Sequence, residues 1–321
     1  MKAASAATRA VPASLADIGS DIEYRRLYTR QMIESRRRIT ACFCRALLAG
    51  LVAWGASKPA AAQKTPPAVS SVRLYVFDCG RLKSANPQPL LDHGVTTTDM
   101  SVAAYLIVHP RGTLVWDTGV IPDELVKPEG TTEARATVRT TLTGQLAEIG
   151  YKPADITYLA LSHNHYDHIA NANQFAASTW LVSKAERDVM FPEKPPEKQN
   201  TAAPRFSALK NAKTKILDGD YDVFGDGTVV IIATPGHTPG HQSLLVKLAK
   251  TGPVILTGDL YHYPVELDDR EFNPNGGKVS DREKASRAKI DALIKASGAT
   301  VWIGHDLKLF EKLKKSPEYY E

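Results

Sequence analysis

The sequence predicts an α/β chain of the α+β kind, a four-layer αββα sandwich built as a single domain behind an N-terminal signal segment. Three observations predict it: short apolar strand runs group in each half of the chain, helical patterns fall between and after them, and Gly or Pro bounds most of the later runs. No short-period repeat and no low-complexity tract interrupts the pattern.

Residues 63–70 (QKTPPAVS), polar and Pro-rich, suit an exposed linker, and the domain is expected over 71–321. Strands are expected over 72–77 (VRLYVF) and, as a hairpin around Pro110-Arg111-Gly112, over 102–108 and 114–116, with Asp117-Thr118-Gly119 closing it. Residues 137–149 show helical spacing at Val138, Leu142, Leu146 and Ile149, and Gly150 is a suitable C-cap. A short apolar strand follows over 156–161 (ITYLAL). In the second half, strands are expected over 229–233, 244–248, 254–256 and 300–303, and helices over 184–190, 281–296 and 308–315. The 259 residues after position 62 reach the upper end of what one core supports, and a two-sheet sandwich accommodates that size.

The formal charge of +5 is unevenly placed. Residues 1–62 carry ten Lys/Arg against four Asp/Glu, a net of +6, so the remainder carries −1 and gives no electrostatic reason to expect nucleic acid as a partner. Within the first segment, Arg36, Arg37, Arg38 and Arg45 precede an apolar run over 46–56 (ALLAGLVAWGA), and Ala60-Ala61-Ala62 offers small residues before Gln63. This is the pattern of an export signal cleaved near Ala62, and the run falls short of the roughly twenty residues a membrane span needs. The mature chain is therefore expected to be periplasmic or secreted by a bacterium, with no stable membrane span. Ser35-Arg36-Arg37 leaves twin-arginine and general export both open, and Met32 offers a second start. Removal of Cys42 and Cys44 leaves Cys79 alone, so no internal disulfide is expected and Cys79 reads as a small buried residue.

The chemistry concentrates in Ser162-His163-Asn164-His165-Tyr166-Asp167-His168. Four strong ligand types in six positions do not suit a packed core, because buried imidazoles and carboxylates need a metal or a dense polar network as partner. Three more ligand types lie just beyond apolar runs with glycine at the turn: His237 after Thr234-Pro235-Gly236, Asp259 after Gly258, and His305 after Gly304. A rigid sheet presents a site on one rim in this way. Five histidines and two aspartates exceed the four groups of one tetrahedral ion, whereas two ions sharing a carboxylate use all seven. His93 reads as a loop residue, His109 as a turn residue, and His241 as a strand opener that hydrogen-bonds near the site.

His163-Asn164-His165-Tyr166-Asp167-His168 fits the H-x-H-x-D-H signature, and on it the chain resembles the metallo-β-lactamase superfamily over nearly all its length after position 62. Residues 234–244 (TPGHTPGHQSL), Thr257-Gly258-Asp259 and Gly304-His305-Asp306 look most similar to the N-acyl homoserine lactonases, the quorum-quenching enzymes. The resemblance implies one metal on His163, His165 and His237, a second on Asp167, His168 and His305, Asp259 bridging them, and Zn2+ as the usual ion. It implies hydrolysis of a lactone; the mechanism expected is attack by a metal-bridging hydroxide, and the sequence leaves open whether Asp167, His262 or Tyr261 moves the proton. Lactonases of this kind often carry a tyrosine three residues after the bridging aspartate; here that position is His262, and Tyr261 precedes it. The partner is then a small lactone or ester, and a homodimer is the oligomer considered. The alternatives are a glyoxalase-II-like thioesterase or other esterase, and a phosphodiesterase, because shared ligands specify hydrolysis and not the substrate. A non-catalytic metal-binding module would ordinarily have lost ligands, and none is lost here.

Overall fold

The computed structural model describes residues 68–194 and 201–321. The expected signal over 1–62 and most of the linker over 63–70 lie outside the described residues. The first half supplies β1 (Arg73–Leu82), α1 (Pro87–Asp92), β2 (Met100–His109), β3 (Gly112–Trp116), β4 (Thr131–Glu133), β5 (Ala136–Val138), α2 (Leu142–Glu148) and β6 (Tyr158–Ala160). There follow β7 (Thr179–Ser183), α3 (Lys184–Met190), α4 (Ala203–Phe206), β8 (Thr214–Leu217) and β9 (Tyr221–Asp222). The remainder is β10 (Val229–Ala233), β11 (Gln242–Leu248), β12 (Gly252–Leu256), α5 (Val265–Asp268), α6 (Asp281–Ser297), β13 (Thr300–Trp302) and α7 (Leu307–Lys312).

Among the described residues these strands form two sheets, one of eight strands in the order β4-β5-β1-β2-β3-β6-β7-β8 and one of five in the order β13-β12-β11-β10-β9. Alternation along β2 explains how the first sheet is covered on both faces. Ala103, Tyr105 and Ile107 face inward with Leu114 and Trp116 of β3, meeting Ile231, Leu244, Val246, Val254 and Leu256 of the second sheet. Val102, Ala104, Leu106 and Val108 face outward against a layer that includes Leu142 and Leu146 of α2, Met190 of α3 and Phe206 of α4. Ile232, Leu245 and Ile255 on the outer face of the second sheet pack against Ile290 of α6. The expected sandwich is thus present, and truncating one of its fully buried aliphatic side chains to Ala costs about 2–5 kcal/mol.

Topology decides where the rim lies. β3 runs parallel to β6, and β12 runs parallel to β13. β10 and β12 both run antiparallel to β11, so β10, β12 and β13 all deliver their carboxyl ends to one edge. At that edge the sheets are tied together, the Gln242 N–H donating to the Ser162 carbonyl (2.9 Å) and the Gln242 side chain to the Leu161 carbonyl (3.0 Å). No helix among the described residues is long and apolar enough to cross a membrane.

Two readings are corrected. Residues 137–149 are not one helix: Val138 pairs with Thr131 in β4–β5, and α2 starts at Leu142, where the Thr141 side chain accepts from Gly144 N (3.1 Å) and caps it. The spacing of Val138 imitated a helical period, but its β-branched side chain is buried on the sheet. His109 is not a turn residue; it closes β2, buried against the Phe224 ring (4.2 Å between centroids) and hydrogen-bonded to Asp226 (2.8 Å). Cys79 is buried as expected, and burial pushes its thiol well up.

Candidate metal centre

The loop leaving β6 carries His163, His165, Asp167 and His168, and the turns after β10, β12 and β13 carry His237, Asp259 and His305. The structure brings all seven together as two groups, His163, His165, His237 and Asp259 in one, and Asp167, His168 and His305 in the other. Within each group the ligand atoms lie within 4.8 Å of one another. Asp259 joins them: Oδ2 is 3.5 Å from Nε2 of both His163 and His237, while Oδ1 is 3.1 Å from His168 Nε2 and 3.2 Å from His305 Nε2. Asp167 Oδ2 lies 3.4 Å from His305 Nε2.

The inward atoms are short of partners. His163 Nε2, His168 Nε2 and Asp259 Oδ1 are buried without a hydrogen bond, although buried polar atoms are ordinarily satisfied. A divalent cation satisfies such a nitrogen and oxygen donor set, so the residues fit a divalent metal site. Hydrogen bonds behind the rings fix how they are turned. The His168 Nδ1–H donates to Asp117 (2.9 Å), whose carboxylate also accepts from Ser162 N (2.6 Å) and Ser162 Oγ (2.9 Å); the His305 Nδ1–H donates to the Ser101 carbonyl (2.8 Å). Asp117 holds φ at +60°, a left-handed conformation that Asp tolerates better than most residues.

Electrostatics divide the rings. Burial pushes the imidazoles of His163 and His165 down and takes His237 down to about 2, which keeps them neutral and ready to donate a lone pair. At His305 burial acts the same way but is outweighed by Asp259 and Asp167, which raise it to about 9; at His168 burial is outweighed by Asp259, Asp117 and Asp167. Asp259 is driven well below the carboxylate range, burial being overcome by the histidines around it.

The two further candidates part company. Tyr261 is extended (φ −139°, ψ 137°), and successive side chains on extended chain point to opposite sides. The His262 ring therefore faces the centre, Nε2 at 3.4 Å from Asp259 Oδ2, and lines the cavity. Tyr261 faces away, fully buried with Leu260 and Ile290 and with the guanidinium groups of Arg270 and Arg287 against its ring, so it is corrected out of the site. His241 sits behind the centre as expected: its Nδ1–H donates to the Thr234 carbonyl (3.1 Å) and its Nε2 accepts from Asp259 N (3.0 Å). Burial lowers it to about 4, in keeping with the neutral form that this pattern needs. In the sequence Asp117 stands as a turn residue, although it shares the signature of the donor residues, a carboxylate just beyond an apolar run with glycine near. Glu266, which accepts from His262 N (2.6 Å) and Tyr263 N (2.8 Å), and Glu186, which accepts from Asn164 N (2.7 Å), carry no such signal, since each is an ordinary glutamate within a helix.

Over the centre opens a cavity of about 430 Å³, with Leu82, Leu90, Met100 and Tyr263 on its walls and Arg135 and Tyr166 beside them.

Residues 97–305 match the Metallo-beta-lactamase superfamily, and the chain belongs to that superfamily. Its curated relatives include the N-acyl homoserine lactonase AttM of Rhizobium radiobacter, 31% identical over 267 residues covering 78% of this chain and all of the relative. An N-acyl homoserine lactonase of a Bacillus species is 31% identical over 77% of this chain and 98% of its own. Among solved structures, an N-acyl homoserine lactone hydrolase with the product N-hexanoyl-L-homoserine at its catalytic metal centre superposes with a TM-score of 0.62 and 25% identity, over 78% of this chain and all of that one.

Proposed function

We propose that this chain is a metal-dependent hydrolase that opens the lactone ring of N-acyl homoserine lactones, using two divalent ions. The observation that carries the reading is Asp259, whose two oxygens face separate donor groups on the floor of a cavity whose walls include Leu82, Leu90 and Met100. Relatives and a solved neighbour named for this lactone support the substrate class. His163, His165 and His237 would hold one ion, Asp167, His168 and His305 the other, and Asp259 both. The donor set of imidazole nitrogen and carboxylate oxygen suits zinc. When bound, the ions supply a Lewis acid for the lactone carbonyl and lower the pKa of water to about 7.

The chain's own residues do the rest. Water adds to the carbonyl carbon, the ring C–O bond breaks, the ring oxygen takes a proton to become a hydroxyl, and the new acid releases one. His262 stands at the cavity wall where its ring N–H can hold a substrate oxygen. Leu82, Leu90 and Met100 give an acyl chain an apolar surface.

Ring opening of a short-chain and a long-chain N-acyl homoserine lactone by metal-loaded protein, followed as proton release, tests the reading. Turnover abolished by Asp259→Ala and by His165→Ala supports it; no turnover, with activity on thioesters or phosphodiesters instead, overturns the substrate. We also propose that residues 1–62 are an export signal, supported by the arginine cluster before the apolar run over 46–56. N-terminal sequencing of protein recovered outside the cytoplasm tests that, a start near Gln63 being the expected result.

A further inference from the structure

The two donor groups are supported differently. His168 and His305 have their outer ring nitrogens anchored, on Asp117 and on the Ser101 carbonyl. His165 and His237 have no such anchor: among the described residues the hydrogen bond their rings make is to each other, His237 Nε2 to His165 Nδ1 at 3.0 Å. Apart from edge-on packing against each other and against His163 and His262, these two rings are therefore placed by the backbone that carries them.

One buried side chain holds both backbones. Glu186, in the first turn of α3 and 1% exposed, accepts from Asn164 N (2.7 Å) on Oε1, and from Thr238 Oγ1 (2.8 Å) and Gly240 N (2.9 Å) on Oε2. Asn164 stands between His163 and His165, and Thr238 follows His237. The helix start is itself pressed onto the second loop: Ser183 Oγ caps Glu186 N (3.2 Å) and donates to the Gly240 carbonyl (3.1 Å). A Cβ on Gly240 would stand 2.4 Å from Glu186 N, so only glycine permits this approach.

We infer that Glu186 is a positioning residue, a carboxylate clamp that presets His163, His165 and His237 for one ion by tying the loop after β6 to the loop after β10. This rests on the reading of those histidines as metal ligands. Its chemistry is one-sided, three donors converging on two acceptor oxygens with no acceptor opposite them. A glutamine keeps one acceptor oxygen, which can serve Thr238 and Gly240, and turns its own N–H2 toward the Asn164 N–H, so Glu186→Gln breaks the tie to the first loop.

The test is zinc affinity of the full mature chain, measured by competition with a chromogenic chelator at a temperature where the variants are folded, alongside the visible spectrum of the cobalt-loaded protein. Glu186→Gln is expected to weaken the binding of one ion by about tenfold or more and to change the cobalt spectrum. Ser183→Ala, which loosens the same helix start but leaves the three donors in place, is expected to stay within about threefold. Equal losses in the two variants, or an unchanged affinity in Glu186→Gln, would overturn the clamp. Should Glu186→Gln fail to fold, Thr238→Val removes one donor with little change of shape; its zinc affinity is expected to fall and to return in Thr238→Ser, and no fall overturns the proposal. A wild-type chain that binds no zinc or cobalt would instead sink the ligand reading on which it rests.

Discussion

The backbone N–H of Asp259 donates to Nε2 of His241 at 3.0 Å, so a histidine outside the two donor groups fixes the residue that they share. His241→Ala leaves that buried N–H unpaired, which costs about 1–3 kcal/mol. Thermal unfolding is expected to show the loss, and zinc titration a weaker site by tenfold or more. An intact affinity would mean that Asp259 is held by its strand alone.

Asp117→Asn addresses the other group. The variant leaves the His168 Nδ1–H with a weaker acceptor, or with an amide N–H2 turned against it. Metal bound after dialysis against a mild chelator is expected to fall in this variant, the affinity dropping about ten- to a hundredfold, while Tyr105 and Trp116 in the neighbouring core keep their near-ultraviolet signal.

Tyr261 and His262 make a paired test. The Tyr261 hydroxyl is buried without a partner and faces away from the cavity, so Tyr261→Phe is expected to keep kcat/KM within about twofold and to leave stability unchanged or slightly raised. His262→Ala removes a donor from the cavity wall and is expected to lower kcat on the order of a hundredfold with metal retained. Steady-state kinetics in parallel with metal analysis separates the two; loss of activity in Tyr261→Phe would contradict the placement of its ring.

Stripping the metal should also be visible without substrate. An ion that binds only the folded chain at a thousand times its Kd stabilises it by about 4 kcal/mol. Calorimetry of protein before and after exhaustive chelation is expected to show a lower Tm for the stripped form, restored by zinc.

Much of this was legible in the residues because histidines and aspartates stand where apolar runs stop. The turns to His237, Asp259 and His305 each pair a glycine with a potential donor, and folding brings all three into the two groups. What the sequence concealed was relational. Nothing in the order of residues says that Tyr261 and His262 sit on extended chain and therefore diverge. The burial of Glu186 depends on a helix meeting a loop more than fifty residues away. The helix read over 137–149 failed for a similar reason, since Val138 answers to its strand partner Thr131 and not to its sequence neighbours.

Each donor group draws on both sheets: His163 and His165 from the rim of the larger with His237 and Asp259 from the smaller, and Asp167 and His168 with His305. A bound ion is in that sense a clasp across the seam between two layers. Pulling the layers apart would mean releasing such an ion, so a loaded site would resist parting of the sandwich along that edge.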